Sequence, residues 1–410
     1  MMRIAIVASQ APTEAEPYTG NPISQTALAL QRFAEVEVFY TQPSFPRWQI
    51  FQPRKFLYSR VDSRYFPPGL RAEDIHFPAF PLVGRPFIGR TCFRYLLPRL
   101  QKSQPELILA YWLYPSGYGA LLAGEEMGIP VILGVRGSDL LAKPDVLTRG
   151  LRRTALRRAS FVLTVSDELR QRAIRFGAPS ERARTIPNGC DSSMFQVRDR
   201  QRAREQQGVL QDTQLVLFVG RLNQVKGIGD LIAATGRLVP SHPRLEVVLI
   251  GGGVLEGELR ARTERAGLAG HIRFLGRQAQ QVVARWLAAA DVLCLPSYSE
   301  GCPNVLLEAL SCGRPVVASH LGGVAELVDS NCSILFPPGD PVKLAEALAE
   351  ALRRPWDAAS IAARSRRTWE DVGRETYEAC SAVLEKHSAE DCKNGSKSSR
   401  NHKVELEASR

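Results

Sequence analysis

The segment Pro296-Ser-Tyr-Ser-Glu300-Gly-Cys-Pro-Asn-Val-Leu-Leu-Glu308 connects two apolar runs through a polar loop. Residues 292–295 form the first run, which has the composition of a buried strand. The second run covers residues 305–310 and predicts a helix, because proline at 303 and asparagine at 304 are typical of a first helical turn. The segment therefore predicts a strand, a loop and a helix that starts beside the loop.

Two carboxylates flank this predicted helix start, Glu300 in the loop and Glu308 in the helix. A helix N-terminus presents unpaired N–H groups and about half a positive charge. We therefore predict an anion site with a carboxylate on each side, which suits a ligand with central phosphates and terminal hydroxyls, such as a nucleotide sugar. A solvated Glu308 and a helix-capping Glu300 are the alternatives.

Strand and helix patterns alternate twice along the 410 residues. Continuous apolar runs of this kind are typical of parallel sheets covered on both faces, so the predicted fold class is α/β, with two doubly wound domains. The predicted strands are 3–8, 36–40, 107–111, 131–135 and 161–165 in the first half, and 215–219, 245–250, 272–275, 292–295, 315–318 and 333–336 in the second.

The predicted N-terminal domain covers residues 1–195, with a helix at 23–33 and an insert at 41–105 that interrupts the alternation. The polar segment 196–213 is predicted to be a linker with some helix, and the C-terminal domain to cover 214–370. Helical runs at 342–353 and 374–386 close the chain. The polar tail 388–410 is predicted to be disordered.

Composition excludes several functional classes. No apolar run reaches the 18 or so residues of a spanning helix, and the N-terminal run is too short for a secretory signal. The eight cysteines lack metal or disulfide spacing, which favours a reducing cytoplasm. None of the six histidines lies in the motifs described here, and no Asp-x-Asp pair lies in a suitable loop, so neither a histidine base nor a metal-bound diphosphate is expected.

A basic glycine loop, Gly220-Arg221-Leu-Asn-Gln-Val-Lys226-Gly227, follows the first strand of the second half. Loops at the carboxyl ends of parallel strands face the ligand crevice. The planar fork of Arg221 and the ammonium of Lys226 could clamp a diphosphate there. The alternative is a solvated basic turn.

In the first half, Gly20 and Asn21 precede a helix, where their backbone could approach donor phosphates or an acceptor. Arg136 and Asp139 follow a predicted strand, so their side chains should point into the crevice. Arg136 could stabilise phosphate charge. Asp139 could accept a hydroxyl proton or orient a sugar, and its alternative role is a helix cap. In the second half, the glycine pair before Glu326 could line the same crevice.

Five motifs together resemble those of glycosyltransferase family 4, the retaining family with the GT-B fold, in which two Rossmann-like domains face each other across a cleft. The motifs are G-R-L-x-x-x-K-G at 220–227, S-E-G-C-P-N-V-L-L-E-A-L at 299–310, S-C-G-R-P-V-V-A-S at 311–319, G-G-V-A-E-L-V at 322–328 and I-P-N-G-C-D at 186–191. The R-G-S-D variant at 136–139 looks like the teichuronic-acid and exopolysaccharide branch.

This resemblance implies roles for single residues. Glu308 would bind the ribose of a nucleotide-diphosphate sugar and Glu300 the transferred sugar, with retention at the anomeric carbon and no metal. A helix at 371–387 would cross back to the N-terminal domain. The diphosphate would be bound by the loop and helix start that include Gly220, Arg221, Lys226, Asn304, Val305 and Leu306.

Two positions depart from the family pattern. Many members carry a histidine where this chain has Arg136, and arginine cannot act as a neutral acceptor or base. An electrostatic role toward phosphate is therefore expected of Arg136. The family often has a glycine pair where this chain has the single Gly20, so the phosphate contact of that loop is open.

Residues 47–102 combine 11 basic and 3 acidic residues with many aromatic side chains. Basic residues near an anionic bilayer contribute about 1 kcal/mol each. One expectation is therefore peripheral attachment of a cytoplasmic protein to the inner membrane face and a lipid-linked acceptor. A loop folded over its own domain is the alternative, and no nucleic-acid motif accompanies the basic residues.

The function expected from these features is transfer of a hexose from a UDP or GDP sugar to a hydroxyl of a glycan or lipid-linked acceptor, in polysaccharide or cell-envelope biosynthesis. A nucleotide-sugar 2-epimerase of the same fold remains an alternative, although it would need further acid and base groups around the sugar. A non-catalytic protein that binds sugar nucleotides is a second alternative, but such a protein would not need both glutamates.

Overall fold

The computed structural model describes the backbone of residues 1–13, 21–45, 64, 66–80, 82–141 and 146–408, and the side chains of these residues except 82, 83, 138, 141 and 391–408. The chain forms two compact units. The first contains Met1–Val165, Leu169–Pro187 and Glu370–Arg410, and the second contains Ser166–Glu168 and Asn188–Trp369.

The first unit is built on a parallel sheet of seven strands in the order β3-β2-β1-β4-β5-β6-β7. The strands are β1 Arg3–Ala8, β2 Glu35–Ser44, β3 Arg71–Pro78, β4 Leu107–Tyr111, β5 Val131–Val135, β6 Phe161–Thr164 and β7 Ala183–Thr185. The helices along this part of the chain are α1 Asn21–Leu30, α2 Ile88–Ser103, α3 Tyr118–Met127, α4 Ser138–Leu141, α5 Val146–Arg158 and α6 Asp167–Phe176.

The second unit has a parallel sheet of six strands in the order β10-β9-β8-β11-β12-β13. The strands are β8 Gln214–Val219, β9 Leu245–Ile250, β10 Ile272–Gly276, β11 Val292–Leu295, β12 Val316–Ser319 and β13 Ser333–Phe336. The helices are α7 Arg200–Gln207, α8 Ile228–Leu238, α9 Glu256–Arg265, α10 Gln280–Ala289, α11 Asn304–Ser311, α12 Gly322–Ala325, α13 Pro341–Arg353 and α14 Ala358–Arg364, and α15 Trp369–Ala408 ends the chain.

Strand β8 shows why the strands are apolar throughout. Leu215 and Leu217 pack into the core on one face of the second sheet, whereas Val216 and Phe218 pack into the core on the other. The four central residues of β8 are all buried because helices cover both faces. The prediction of two doubly wound parallel domains is therefore confirmed.

The strand order places the predicted site at a particular edge. In each sheet the order reverses direction beside the first strand, between β1 and β4 in one unit and between β8 and β11 in the other. Ligands of open α/β sheets bind outside the carboxyl ends of the strands at such a reversal. The loops that follow β8 and β11 are those that carry the basic glycine loop and the Glu300 segment.

The interpretation of residues 41–105 as an insert was wrong for its second part. Strand β3 pairs with β2 at the edge of the first sheet, and α2 packs against the same sheet. The pattern of β3 alternates between buried and exposed residues, because an edge strand is less fully covered than a central one. It therefore lacked the continuous apolar run that identified the central strands. The first part of the insert, residues 46–63, lies outside the described residues.

The predicted linker 196–213 belongs to the second unit, and the first unit's segment ends at Pro187 rather than at residue 195. The guanidinium of Arg204 on α7 is fully buried. It donates to the backbone carbonyls of Ala289, Leu210, Gln211 and Thr213, and its Nη2 lies 2.7 Å from Asp291 Oδ2. These bonds hold the segment against the sheet, so it is part of the domain.

The C-terminal helix α15 belongs to the first unit from Glu370 onward. Tyr377 stacks on Phe33 with ring centroids 5.8 Å apart, and Glu370 lies 2.6 Å from Arg32. The backbone of α15 is helical through Ala408, whereas the polar composition of 388–410 predicted disorder. Across the described ranges, no helix combines the length and the apolar composition needed to cross a membrane.

Candidate active site

The loops after β8 and β11 touch each other directly. The backbone N–H of Tyr298 donates to the carbonyl of Val225 at 2.8 Å. Gly227 has a φ of +64°, and a Cβ at this position would lie 1.9 Å from the carbonyl oxygen of Pro296. Only glycine allows this approach, so the last residue of the basic glycine loop is required for the contact between the two loops.

The contact brings together two charged residues predicted from separate motifs. Lys226 Nζ lies 2.5 Å from Glu300 Oε1, although the two residues are 74 positions apart in the sequence. Ser297 Oγ donates to the same carboxylate oxygen at 2.6 Å. Neither donor contacts Glu300 Oε2, which can accept a hydrogen bond from a sugar hydroxyl. An ammonium has three N–H donors, so Lys226 can bind a phosphate oxygen and Glu300 together.

Arg221 and Gly220 lie at the start of the same loop. The N–H of Gly220 donates to the carbonyl of Ile250 at 2.9 Å, which fixes the end of β8 against β9. Arg221 is exposed at the carboxyl edge of the sheet. A guanidinium in this place can reach an anionic ligand at the crevice.

Helix α11 begins at Asn304, directly after the Glu300 loop. Its N-cap residue is Pro303, whose side chain has no polar atom to cap the first turn. Asn188 donates through Nδ2 to Asn304 Oδ1 at 2.6 Å and to the carbonyl of Cys302 at 3.2 Å. Asn188 therefore fixes the start of the helix whose first-turn N–H groups, including those of Val305 and Leu306, were predicted to bind phosphate.

Glu308 lies one helical turn after Asn304, on the same face of α11. It is half-buried beside the buried residues Leu307 and Ala309. Burial raises the pKa of Glu308 to about 7. Near neutral pH the carboxyl group therefore exists in both forms and can accept from, or donate to, a ribose hydroxyl.

In the first unit, Arg136 follows β5 and Asp139 lies in α4. The guanidinium carbon of Arg136 lies 5.4 Å from the centroid of the Tyr111 ring. Asp139 Oδ1 accepts from the N–H of Gly137 at 3.0 Å, and Oδ2 has no hydrogen-bond partner among the described residues. Burial raises the pKa of Asp139 to about 6.

Two of the predicted residues precede or open helix α1. Asn21 is the first residue of the helix, and its Oδ1 accepts from Gln25 Nε2 at 3.4 Å. Gly20 lies outside the described residues. Their predicted contacts with phosphate or acceptor stay predictions.

Glu326 has a structural role. Its two carboxylate oxygens accept from the backbone N–H groups of Asp167 and Glu168 at 2.6 and 2.8 Å. Glu168 Oε2 in return accepts from the N–H of Gly323 at 3.0 Å. These bonds cap the starts of two helices. The sequence had instead suggested that Glu326 could line the crevice.

Comparison with known families agrees with the motifs. Residues 213–354 match the family model of glycosyl transferases group 1, and residues 21–189 match that of the glycosyl transferase 4-like domain. The chain belongs to glycosyltransferase family 4.

Two curated relatives are similar in sequence to this chain. The "Putative teichuronic acid biosynthesis glycosyltransferase" of Bacillus subtilis is 34% identical over 254 residues, which are 61% of this chain and 61% of the relative. A D-inositol 3-phosphate glycosyltransferase of Catenulispora acidiphila is 32% identical over 265 residues, 60% of this chain and 62% of the relative. The chain thus spans about three fifths of the length of these relatives.

The fold resembles that of the Anabaena protein HepE, solved in complex with UDP. The TM-score is 0.72 with 21% sequence identity, and the match covers 93% of this chain and 100% of the other. This likeness supports the GT-B fold.

The sequence did not identify several residues that build the site. Asn188 lies in the I-P-N-G-C-D motif, but nothing in that motif indicates that its amide holds the start of α11. The sequence pattern indicates no role for Ser297, whose hydroxyl donates to Glu300. Tyr298 donates to Asp230 Oδ2 at 2.8 Å and so ties the Glu300 loop to α8. The sequence signal that could have identified such residues is a polar side chain directly after a buried strand.

Proposed function

We propose that this protein transfers a hexose from a nucleotide-diphosphate sugar, with UDP or GDP as the nucleotide, to a hydroxyl of a glycan or lipid-linked acceptor. The observation that carries the proposal is the contact of Lys226 with Glu300, which joins a phosphate-binding cation to a sugar-binding carboxylate. The relative named for teichuronic acid biosynthesis supports an acceptor in polysaccharide or cell-envelope synthesis. The complexes of HepE with UDP and UDP-glucose support the donor class.

The proposed donor binding uses only the second unit. Arg221, Lys226 and the first turn of α11 bind the diphosphate, and Glu308 accepts from the ribose hydroxyls. Glu300 accepts from the hexose through Oε2, because Lys226 and Ser297 already bind Oε1. The charges of Arg and Lys and the helix dipole compensate the diphosphate, so the proposed reaction needs no metal.

In the proposed reaction the bond between the anomeric carbon and the β-phosphate oxygen breaks, and the acceptor oxygen bonds the same carbon from the same face. The acceptor hydroxyl proton passes to the departing diphosphate, and the anomeric configuration is retained. In this proposal Arg136 stabilises the negative charge that develops on phosphate, and Asp139 orients the reacting hydroxyls.

Nucleotide binding provides the first test. A thermal-shift panel of UDP, GDP and their sugars should show stabilisation by one nucleotide, about 2.7 kcal/mol at 100 times its dissociation constant. Lys226→Ala should weaken the binding of that nucleotide at least tenfold. Glu300→Gln should reduce the rate of sugar transfer with a modest loss of donor affinity. Lys343→Ala is the matched control, because Lys343 forms an exposed pair with Glu346. Unchanged affinity in Lys226→Ala would contradict the diphosphate clamp.

We further propose that the first unit attaches peripherally to the anionic cytoplasmic face of a membrane. Phe87 is 63% exposed and Phe80 is 54% exposed. Arg90 and Arg94 are exposed on α2, within two turns of Phe87. Exposed aromatic and basic side chains in one segment can insert into the interface and pair with anionic headgroups.

Vesicle co-sedimentation tests this attachment. The protein should bind vesicles rich in anionic lipid at low salt and leave neutral vesicles in the supernatant. The double variant Phe87→Ser, Arg90→Ser should lose most of this binding. Val254→Ser serves as control, because Val254 is 92% exposed in the second unit. Equal binding by the double variant and the control would reject the assigned surface.

A further inference from the structure

Tyr111 is the last residue of β4 and is only 5% exposed. It pairs in register with Gly134 of the neighbouring strand β5. A Cβ at residue 134 would lie 2.4 Å from the Cδ1 and Cε1 atoms of the tyrosine ring. The ring therefore lies across the backbone of β5, in a space that exists because residue 134 is glycine.

Arg136 comes two residues after Gly134, directly beyond the end of β5. The ring that fills the space above Gly134 also lies beside the Arg136 side chain. The guanidinium carbon is 5.4 Å from the ring centroid, within the range of a cation–π interaction. Tyr111, Gly134 and Arg136 thus form one packed group at the carboxyl edge of the first sheet.

The hydroxyl end of Tyr111 has polar surroundings. Burial raises the pKa of the phenol, and Arg136 and Thr26 act in the opposite direction. A cavity of about 20 Å³ adjoins Tyr111, Arg136 and Thr26, with Thr164 and Thr376 also in its lining. That volume and lining suit a single water molecule.

We propose that Tyr111 is the positioning residue for Arg136. The inference rests on the proposed function, in which Arg136 stabilises charge on the departing diphosphate. Arginine is longer and has more rotatable bonds than the histidine common at this position in the family. The tyrosine face holds its guanidinium in place, so that less ordering is needed when charge develops.

Steady-state kinetics of four variants test the proposal. Tyr111→Leu should lower kcat about tenfold, the scale of a cation–π contact at a partly buried site, with KM for the donor and the affinity for UDP unchanged. Tyr111→Phe keeps the ring face and removes the hydroxyl that faces Arg136, so its kcat should lie between that of the unmodified protein and that of Tyr111→Leu. Arg136→Gln should lower kcat at least as much as Tyr111→Leu, and the double variant Tyr111→Leu, Arg136→Gln should be no slower than Arg136→Gln alone.

Tyr118→Leu is the matched control, because Tyr118 is buried in the same unit and its ring contacts that of Tyr114 at a tilt. It should leave kcat unchanged in the folded protein. Full additivity of the two substitutions, or an unchanged kcat in Tyr111→Leu, would overturn the positioning role.

A second series covers the case in which Tyr111→Leu does not fold. Mono-, di- and trifluorinated phenylalanine at position 111 keep the ring shape and progressively weaken the negative potential of its face. The proposal expects kcat to fall stepwise with fluorination, and a flat series would show that the ring acts by shape alone. Absence of turnover by the unmodified protein with any nucleotide sugar would reject the proposed function, and the positioning role with it. Turnover without coupling would reject the positioning role only.

Discussion

Replacement of Glu308 by glutamine isolates the energetic consequence of a carboxylate half-buried in a helix of the proposed donor site. Glutamine has nearly the same shape and cannot ionise. Burial moves the pKa of Glu308 from 4.5 to about 7, so the folded protein binds this proton more tightly than the unfolded chain does. The contribution of Glu308 to stability is therefore greatest below pH 4.5 and falls as the pH rises through 7.

The magnitude follows from the size of the shift. One pKa unit corresponds to about 1.4 kcal/mol, so the ionised carboxylate would destabilise the folded protein by about 3 kcal/mol at pH 8 and by less than about 1 kcal/mol at pH 5. Solvent screening of a half-buried group reduces this difference. The unfolding free energy of Glu308→Gln minus that of the unmodified protein should therefore increase by about 2 kcal/mol from pH 5 to pH 8.

Urea denaturation at pH 5, 6, 7 and 8 measures this gain. The pH-dependent part is the readout, because it is independent of any constant cost of placing an amide at the site. Glu350→Gln is the control, since Glu350 is exposed on helix α13 and should give a constant difference across the series. A Glu308→Gln difference that is equally constant would refute the assignment of a burial-raised pKa to this carboxyl.

Three further predictions concern other parts of the chain. Arg204→Met should lose about 3–5 kcal/mol in urea denaturation, because four backbone carbonyls and Asp291 then lose the buried guanidinium that donates to them, whereas Arg202→Met should change little. Gly227→Ala should abolish nucleotide binding in calorimetry, because the new Cβ would displace Pro296, whereas Gly257→Ala has open space around it. If Asp139 acts in its ionised form, kcat should rise with pH near 6, and Asp139→Asn should remove this rise. An unchanged pH profile of kcat in Asp139→Asn would show that another group causes the rise.

The sequence predicted the central parts of both domains because each central strand is apolar on both faces. It did not predict β3 or β7, which lie at sheet edges, are less fully buried and are in part polar. The convergence of Lys226 and Glu300 was predictable, since both follow strands whose carboxyl ends are neighbours. The role of Arg204 was not, because its acceptors are backbone carbonyls, which carry no sequence signal. The pKa of Glu308 depends on packing around α11, which is likewise absent from any local pattern.

The two buried acids connect stability to the proposed activity. The ionised form of Glu308 is the stronger acceptor for the ribose hydroxyls, and the ionised form of Asp139 is the stronger acceptor for the reacting hydroxyls that it orients. Burial raises the pKa of each, to about 7 and about 6. Donor affinity should therefore rise with pH through 7, and turnover at saturating donor should rise through 6. Ionisation of the same groups weakens the folded state, so stability should fall over the pH range in which activity increases. A buried carboxylate that lowers stability is retained here at the position where it would bind the nucleotide.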